Sequence, residues 1–220
     1  IVIQTKMHTI MIDTGEKNNA DEIEEYLNQE GITHIDYLEL THYDKDHAGS
    51  VVELLSVMDV DRIYMPDVSD YNGIREKLFL VYPEKIHLIS EIEQLHTDSG
   101  KVTLFPGNSG ADDNENGLCV LFQRENCDIL ITGDLSARGE RELMEHIALP
   151  QLEVLVVGHH GSKYSTCREL LIITKPQIAM ISAGADNFYG HPSAEVLQRL
   201  AQFGCLVLRT DLHGNLIYRG

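Results

Sequence analysis

Short apolar runs alternate with amphipathic segments along the chain, and most of the runs end at a turn or a polar loop. Such runs are typical of buried strands, whereas the amphipathic segments have helical spacing. The pattern predicts strands at Thr9–Ile12, Ile35–Leu40, Arg62–Met65, Lys85–Ile89, Lys101–Phe105, Leu118–Gln123, Asp128–Thr132, Glu153–Val157, Gln177–Ser182 and Leu206–Leu208, with Ile217–Tyr218 as an edge. It predicts helices at Asp21–Gln29, Gly49–Val57, Tyr71–Val81, Ala137–Ile147, Thr166–Ile173 and Ala194–Phe203.

Local signals place several helix ends and loops. Asn18 or Asn19 caps the first helix and Gly31 ends it, whereas Ser136 caps a later helix with Glu140 reaching back in a loose capping box. The segment from Pro106 to Gly117, rich in Gly, Asn, Asp and Ser, is a loop. The chain is therefore a mixed α/β protein. We expect one domain over residues 1–220, in which the N-terminal strand could be truncated.

Both halves of the chain contain a buried strand that stops at a loop bearing histidine. Strand 35–40 runs into His42, and strand 153–157 runs into His159. Ligands of α/β sheets collect beyond the carboxyl ends of the strands. The pattern thus predicts two related halves that face one cleft.

The strongest chemical signal is the loop from Thr41 to His47. It holds four potential metal ligands, His42, Asp44, Asp46 and His47, directly after a buried strand. Imidazole and carboxylate suit zinc, manganese or iron, and such a loop can direct two groups to one cation and two to a neighbour. We therefore expect one or two divalent ions, zinc or manganese, at this place.

This loop resembles the His-x-His-x-Asp-His signature of metallo-β-lactamase-fold hydrolases. The variant with Asp in the second position is similar to the soluble domain of ComEC-type competence proteins. Four further stretches agree in order along the chain: Met11–Gly15, Leu130–Asp134, Val157–Ser162 and Tyr189–Pro192. The resemblance implies an αββα sandwich of two mixed sheets flanked by helices, and a metal-dependent hydrolase.

The resemblance also implies roles for single residues. His42 and Asp44 would serve a first metal, Asp46 and His47 a second, and Asp134 would bridge the two. The last ligand would be a histidine after a later strand, for which three candidates remain open: His159, His160 and His191. Asp13 is expected to brace the metal loop rather than bind metal.

Two positions depart from the family pattern. Asp44 stands where lactamases have His, and the histidine expected before the strand at 118 is absent. Asp112, Asp113 and Asn114 lie in that region, and Asn116 is the best substitute ligand. The first metal site is therefore richer in oxygen, which favours manganese or a weak first site and argues against antibiotic hydrolysis.

Catalytic roles are predicted for Asp46 or Asp134, which would orient water, and for His160 or His191, which would protonate the leaving group. Ser162 and nearby backbone N–H groups would hold a phosphate at a helix start. The expected reaction is hydrolysis of a phosphodiester or phosphate ester. The expected substrate is a small molecule or a nucleic acid, and DNA is among the candidates. Two alternatives stay open: a binding or accessory module that has lost its chemistry, and an acyl or thioester hydrolase.

The composition limits which partners the chain could bind and in which compartment it would be found. The formal net charge is −18, which disfavours non-specific nucleic-acid binding by a basic face, although bound metals supply local positive charge. The longest apolar runs are too short for a membrane span. The four cysteines form no CxxC pair, and we expect free buried thiols over a disulfide between Cys119 and Cys127. We therefore expect a cytoplasmic protein, or an extracytoplasmic one if a segment before Ile1 has been removed. The sequence does not determine the oligomeric state.

Overall fold

The computed structural model describes residues 1–107 and 114–219, which fall into two compact units, Ile1–Ser99 and the part from Gly100 onward. The strands of the first unit are β1 (Val2–Gln4), β2 (Thr9–Ile12), β3 (His34–Glu39), β4 (Asp59–Pro66), β5 (Ile86–Ile89) and β6 (Glu93–His96). Its helices are α1 (Ala20–Gln29), α2 (Lys45–Ala48), α3 (Val51–Val57) and α4 (Ile74–Val81), with a 3-10 turn at Pro83–Lys85.

The second unit has the same kind of alternation. Its strands are β7 (Lys101–Pro106), β8 (Leu118–Arg124), β9 (Cys127–Ile131), β10 (Val154–Val156), β11 (Ile178–Ile181) and β12 (Leu206–Arg209). Its helices are α5 (Ala137–His146), α6 (Arg168–Thr174), α7 (Ala194–Gln202) and α8 (Thr210–His213), with 3-10 turns at Asn114–Asn116 and Gly158–Gly161.

Each unit contains a mixed sheet. In the first, the strand order is β1-β2-β3-β4-β5, with β1 antiparallel to β2 and the other neighbours parallel. In the second, β7, β8 and β9 are antiparallel, whereas β9, β10, β11 and β12 are parallel neighbours. Parallel neighbours need crossover connections, which the helices supply. The predicted fold class, two mixed sheets flanked by helices, is confirmed.

The apolar faces of sheet and helices meet in one core per unit. Leu27 of α1 and Leu54 of α3 are fully buried with Leu38 of β3. In the second unit Leu170 and Leu200 are buried against a sheet whose central strands are apolar. These cores fix the strand ends from which the polar loops emerge.

The predicted helix at 49–57 is wrong at its start. The structure has α2 and then α3 with Gly49 between them, so the last residues of the polar loop are helical. A Cβ at Gly49 would lie 2.1 Å from the Lys45 carbonyl oxygen and 2.6 Å from the Lys17 nitrogen, a space that only glycine fits. His47 therefore lies on a short helix, not in an extended loop.

Other boundaries also moved. The predicted helix at 71–81 begins only at Ile74, because the Asp70 carboxylate accepts hydrogen bonds from the backbone N–H groups of Asn72 and Arg75 and holds a turn there. Strands β1 and β6 and helix α8 were not predicted, since each is very short. The predicted edge at Ile217–Tyr218 is wrong, as these residues join no strand in the described part of the chain.

The cysteines behave as expected. All four are free and buried. The β8–β9 register sets Cys127 opposite Arg124, so Cys119 and Cys127 do not face each other across the hairpin. None of the helices in the described ranges combines the length and the apolar character that a membrane crossing requires.

Ser136 caps α5 as predicted, since its hydroxyl accepts a hydrogen bond from the Arg138 N–H at 3.1 Å. Glu140 does not complete a capping box. Its carboxyl group is fully buried and accepts hydrogen bonds from the backbone N–H groups of Thr166, at 2.5 Å, and Cys167, at 2.7 Å. Glu140 thus holds the loop before α6 rather than the start of α5.

Replacement of the Glu140 carboxyl group tests how much it contributes to the stability of the fold. Glu140→Ala leaves two buried N–H donors unsatisfied and is expected to lower the free energy of unfolding by about 2–4 kcal/mol in urea denaturation. Glu145→Ala, at an exposed position of the same helix, is the matched control and should stay within about 0.5 kcal/mol of the parent. Equal stabilities for the two variants would contradict the assignment.

Candidate metal centre and active site

The first cluster of polar side chains forms where β2 and β3 end. Asp13 follows β2 and adopts a left-handed backbone (φ 60°). Its carboxylate accepts hydrogen bonds from the Thr41 N–H at 2.8 Å, the Thr41 hydroxyl at 2.8 Å and His47 Nδ1 at 2.7 Å. The carboxyl group thus joins the start and the end of the predicted metal loop, as expected of a brace.

The charge of Asp13 is held in place by these neighbours. Burial alone would raise the pKa of Asp13, but the charge and hydrogen bond of His47, the charge of His42 and the Thr41 N–H outweigh it and lower the pKa. Asp13 is therefore a carboxylate at neutral pH.

The hydrogen bonds of Thr41 determine which nitrogen of each histidine carries a proton. A carboxylate only accepts, so His47 has its proton on Nδ1 and the Thr41 hydroxyl donates to Asp13. The Thr41 oxygen, 3.0 Å from His42 Nδ1, then accepts from that ring nitrogen. Both imidazoles consequently carry their lone pair on Nε2, the form in which histidine ligates metals.

The ligand atoms of this cluster lie close enough to share a cation. The rings of His42 and His47 are 4.0 Å apart, and His42 Nε2 lies 3.8 Å from a carboxylate oxygen of Asp44. His42 and His47 are buried, whereas Asp44 is half-exposed and Asp46 is exposed on the first turn of α2. Imidazole nitrogen together with carboxylate oxygen fits zinc or manganese.

Three further hydrogen bonds fix the loop. The buried Tyr43 hydroxyl donates a hydrogen bond to the Pro66 carbonyl at 2.6 Å, and the Asn72 amide donates to the Tyr43 carbonyl at 3.0 Å. Thr14 donates its backbone N–H to the His47 carbonyl at 2.6 Å. Residues outside the motif therefore position the predicted ligands.

The second cluster forms where the parallel strands β9, β10 and β11 end side by side. Asp134 follows β9, His159 and His160 follow β10, and Ser182 follows β11. The His159 N–H donates to the Gly133 carbonyl at 2.9 Å, which ties two of these ends together. The carboxyl ends of parallel neighbours meet at one sheet edge, which is why residues far apart in sequence converge.

Asp134 lies between two imidazoles. The carboxylate is buried, with one oxygen 3.6 Å from His159 Nε2 and the other 4.0 Å from His160 Nε2. His160 Nδ1 donates to the Ser182 carbonyl at 2.9 Å, so its lone pair is on Nε2, toward Asp134. A carboxylate with a nitrogen near each oxygen has the donor arrangement of a bridging metal ligand.

The backbone at this place is strained. His159 and His160 are consecutive residues in the left-handed region, at φ 49° and 54°. Each such non-glycine residue costs about 1–2 kcal/mol, and strain of this kind concentrates at functional sites. A Cβ at Gly158 would lie 2.7 Å from the Thr132 hydroxyl, so glycine is required where β10 turns into the strained pair.

His191 joins the same cluster from the other side of His159. The His159 and His191 rings are 5.9 Å apart, and the buried Nδ1 of His191 has no hydrogen-bond partner among the described residues. Burial, together with the charges of His159 and His160, lowers the pKa of His191 despite the opposing effect of Asp134. His191 is therefore neutral at neutral pH, with the lone pair that a ligand or a base needs.

Two predicted residues have settings that differ from those expected. Ser162 is buried but does not begin a helix, because α6 starts only at Arg168. Its hydroxyl accepts a long hydrogen bond from the Tyr164 N–H at 3.4 Å. The predicted position at a helix start is therefore wrong, and the phosphate-binding role of Ser162 stays a prediction. Asn116 ends a 3-10 turn, and its metal role stays a prediction. Asp112 and Asp113 lie outside the described residues.

The sequence did not single out Thr41, Ser182 or Glu39. The first two act through a hydroxyl and a carbonyl, which carry no distinctive sequence signal. Glu39 is fully buried at the end of β3, and its two carboxyl oxygens have no hydrogen-bond partner in the described ranges. Burial, and then the nearby charge of Asp13, raises the pKa of Glu39 well above its ordinary value.

One known family matches most of the chain. A sequence model of the family described as "Metallo-beta-lactamase superfamily" matches residues 1–185. The chain belongs to this superfamily, most of whose members are metal-dependent hydrolases. Among solved structures, CmlA, a diiron β-hydroxylase from Streptomyces venezuelae, superimposes with a TM-score of 0.65 at 14% identity, over 94% of this chain and 50% of that chain. This likeness shows the fold.

The curated relatives are competence proteins. "ComE operon protein 3" of Bacillus subtilis (strain 168) is 35% identical over 199 residues, 88% of this chain and 26% of that protein. "Competence protein ComA" of Neisseria gonorrhoeae is 29% identical over 218 residues, 98% of this chain and 30% of that protein. The predicted resemblance is confirmed, and the chain spans between a quarter and a third of these relatives.

The brace at Asp13 has a measurable consequence. Asp13→Asn removes the carboxylate that orients His47 and Thr41, and the affinity for zinc or manganese is expected to fall about 10- to 100-fold in calorimetric titration. Asp21→Asn, on the exposed face of α1, should leave the affinity unchanged. Equal affinities for both variants would show that the brace does not act on the metal ligands.

Glu39 makes stability depend on pH. A raised pKa means that the folded state keeps a proton that the unfolded chain has lost, so stability falls as pH rises above about 4.5. Glu39→Gln, which mimics the neutral acid, is expected to flatten this decline in urea denaturation between pH 5 and pH 8 with chelator present. Glu53→Gln, at an exposed position, is the control and should keep the decline of the parent. A parent-like decline in Glu39→Gln would refute the neutral form.

Proposed function

We propose that the chain is a metal-dependent hydrolase of phosphodiesters or phosphate esters, with DNA among its substrates. The observation that carries the proposal is the buried carboxylate of Asp134, with His159 Nε2 near one oxygen and His160 Nε2 near the other. Membership of the superfamily supports metal-dependent hydrolysis, and the names of the competence relatives support DNA.

The ligand assignment follows the family order. We assign His42 and Asp44 to a first cation, Asp46 and His47 to a second, and Asp134 to a bridging role. His159, at 3.6 Å from Asp134, is the preferred last ligand. The family match spans residues 1–185 and hence parts of both units, which supports treating residues 1–220 as one functional domain.

The chain's own groups have defined tasks. A divalent cation held by these ligands would make water more acidic and polarise a phosphoryl oxygen. Asp46 is exposed on its turn and would accept a hydrogen bond from water. His160 holds one proton on Nδ1 for the Ser182 carbonyl, so Nε2 is where it takes up a second proton and gives it to the leaving-group oxygen. His191, neutral beside His159, would receive the proton that water loses.

Loss of single ligands tests the proposal. His47→Ala and Asp134→Ala are each expected to lower kcat/KM on bis(4-nitrophenyl) phosphate, with manganese or zinc present, by at least about 100-fold. The double variant should be little worse than either single variant, because residues that act as a unit are non-additive. His34→Ala, which removes a histidine whose Nδ1 lies 3.4 Å from Asp59, is the matched control and should retain full activity.

The alternatives give different results. Bound metal in elemental analysis with no turnover of any ester would indicate a binding or accessory module. Turnover of thioesters or acyl esters without phosphodiesters would assign the other hydrolase class. Additive losses in the double variant would show that the two clusters do not serve one reaction.

A further inference from the structure

Two aromatic residues stand at the tip of the loop before His191. Phe188 is 100% exposed and Tyr189 is 82% exposed. Single exposed apolar residues are common on protein surfaces and need no explanation. Two consecutive, largely exposed rings beside a cluster of histidines are different, because Tyr189 contacts one of those histidines.

The loop that carries these rings is fixed at its base. The Asn187 amide donates hydrogen bonds to the Gly184 carbonyl at 2.9 Å and the His191 carbonyl at 2.5 Å, and its oxygen accepts from the His191 N–H at 2.9 Å. One side chain thus closes the loop on both sides of its tip. The rings are held out by this closure instead of folding back onto the unit.

The ring of Tyr189 extends the histidine cluster. Its plane lies 19° from that of the His191 imidazole, with the ring centres 6.0 Å apart. His191 in turn lies beside His159. A flat ring placed on Tyr189 would therefore extend the Tyr189–His191 stack, and the edge of that stack meets His159.

A neighbouring loop adds positive charge. Lys163 Nζ lies 5.0 Å from the ring centre of Tyr164, which is 66% exposed. The Ser193 N–H donates to the Gly161 carbonyl at 2.9 Å, which joins this loop to the one that carries His191. In a chain of net charge −18, an exposed lysine beside aromatic rings is a local place for a phosphate.

We propose that Phe188 and Tyr189 form a stacking platform for unpaired nucleobases, so that the chain selects single-stranded nucleic acid over phosphodiesters without bases. The proposal rests on the proposed function and names its substrate class. Aromatic stacking accepts any base, and the exposed Lys163 supplies local positive charge for a phosphate in an otherwise acidic protein.

Binding is measured first, independently of turnover. Fluorescence anisotropy with chelator present compares labelled oligothymidylate with a strand of equal length built from abasic tetrahydrofuran units, which keeps the phosphates and removes the bases. The parent is expected to bind oligothymidylate more tightly. The double variant Phe188→Ala/Tyr189→Ala should weaken that binding about tenfold and leave the abasic strand unchanged.

Matched variants separate stacking from folding. Phe188→Tyr together with Tyr189→Phe keeps both rings and should restore binding. Leu80→Ala, at an exposed apolar position of α4, should bind both strands as the parent does. Turnover with manganese is then compared, and the double variant is expected to raise KM on oligothymidylate about tenfold with kcat unchanged.

The possible outcomes distinguish the proposed hydrolase activity from the proposed stacking platform. Base-dependent binding without turnover of either strand would refute the proposed hydrolase and support the platform. Turnover with no preference between the strands, or equal loss on both strands in the double variant, would overturn the platform. Sedimentation with vesicles of phosphatidylcholine and phosphatidylglycerol tests a lipid surface instead. Vesicle binding that the double variant loses while strand binding persists would also overturn it.

Discussion

A buried carboxylate is costly unless donors surround it, and this constraint shapes both clusters. Asp13 is compensated by the Thr41 N–H and hydroxyl and by His47 Nδ1. These hydrogen bonds fix the tautomers of His42 and His47, and hence where their lone pairs lie. Asp134 is buried among histidines, with His159 Nε2 at 3.6 Å from one carboxylate oxygen and His160 Nε2 at 4.0 Å from the other.

The strained backbone of the second cluster is maintained by contacts around it. Glu140 accepts from two N–H groups at one end of the loop from residue 158 to 167. Arg199 donates to the carbonyls of Ser165, at 2.8 Å, and Thr166, at 2.6 Å. Glu140 of α5 thus binds backbone N–H groups of this loop, and Arg199 of α7 binds its backbone carbonyls. Such support positions the histidines before any ligand arrives, which reduces the reorganisation that a reaction would require.

The predicted ligand set departs from the family pattern at two positions, Asp44 and the histidine that is missing before β8. As a ligand, Asp44 would add an oxygen where lactamases have a nitrogen, and it is more exposed than His42 and His47. An exposed oxygen ligand binds a cation less tightly than a buried imidazole does, and it favours harder ions. The acidic surface, with net charge −18, attracts cations and disfavours non-specific contact with nucleic-acid backbones.

The sequence by itself determined the alternation of strands and helices, the order of the motifs and the set of candidate ligands. It could do so because buried strands need apolar runs and because polar loops at strand ends have few other uses. The sequence predicted the wrong hydrogen-bond partners for Glu140. The expected partner was the start of its own helix, whereas the actual partners lie 26 and 27 residues away. Only the tertiary structure decided that Asp13 bonds His47, that His159 and His160 are left-handed, and that Tyr189 stacks beside His191. Those contacts depend on which strands are neighbours and on the backbone path of each loop, and no local pattern encodes either.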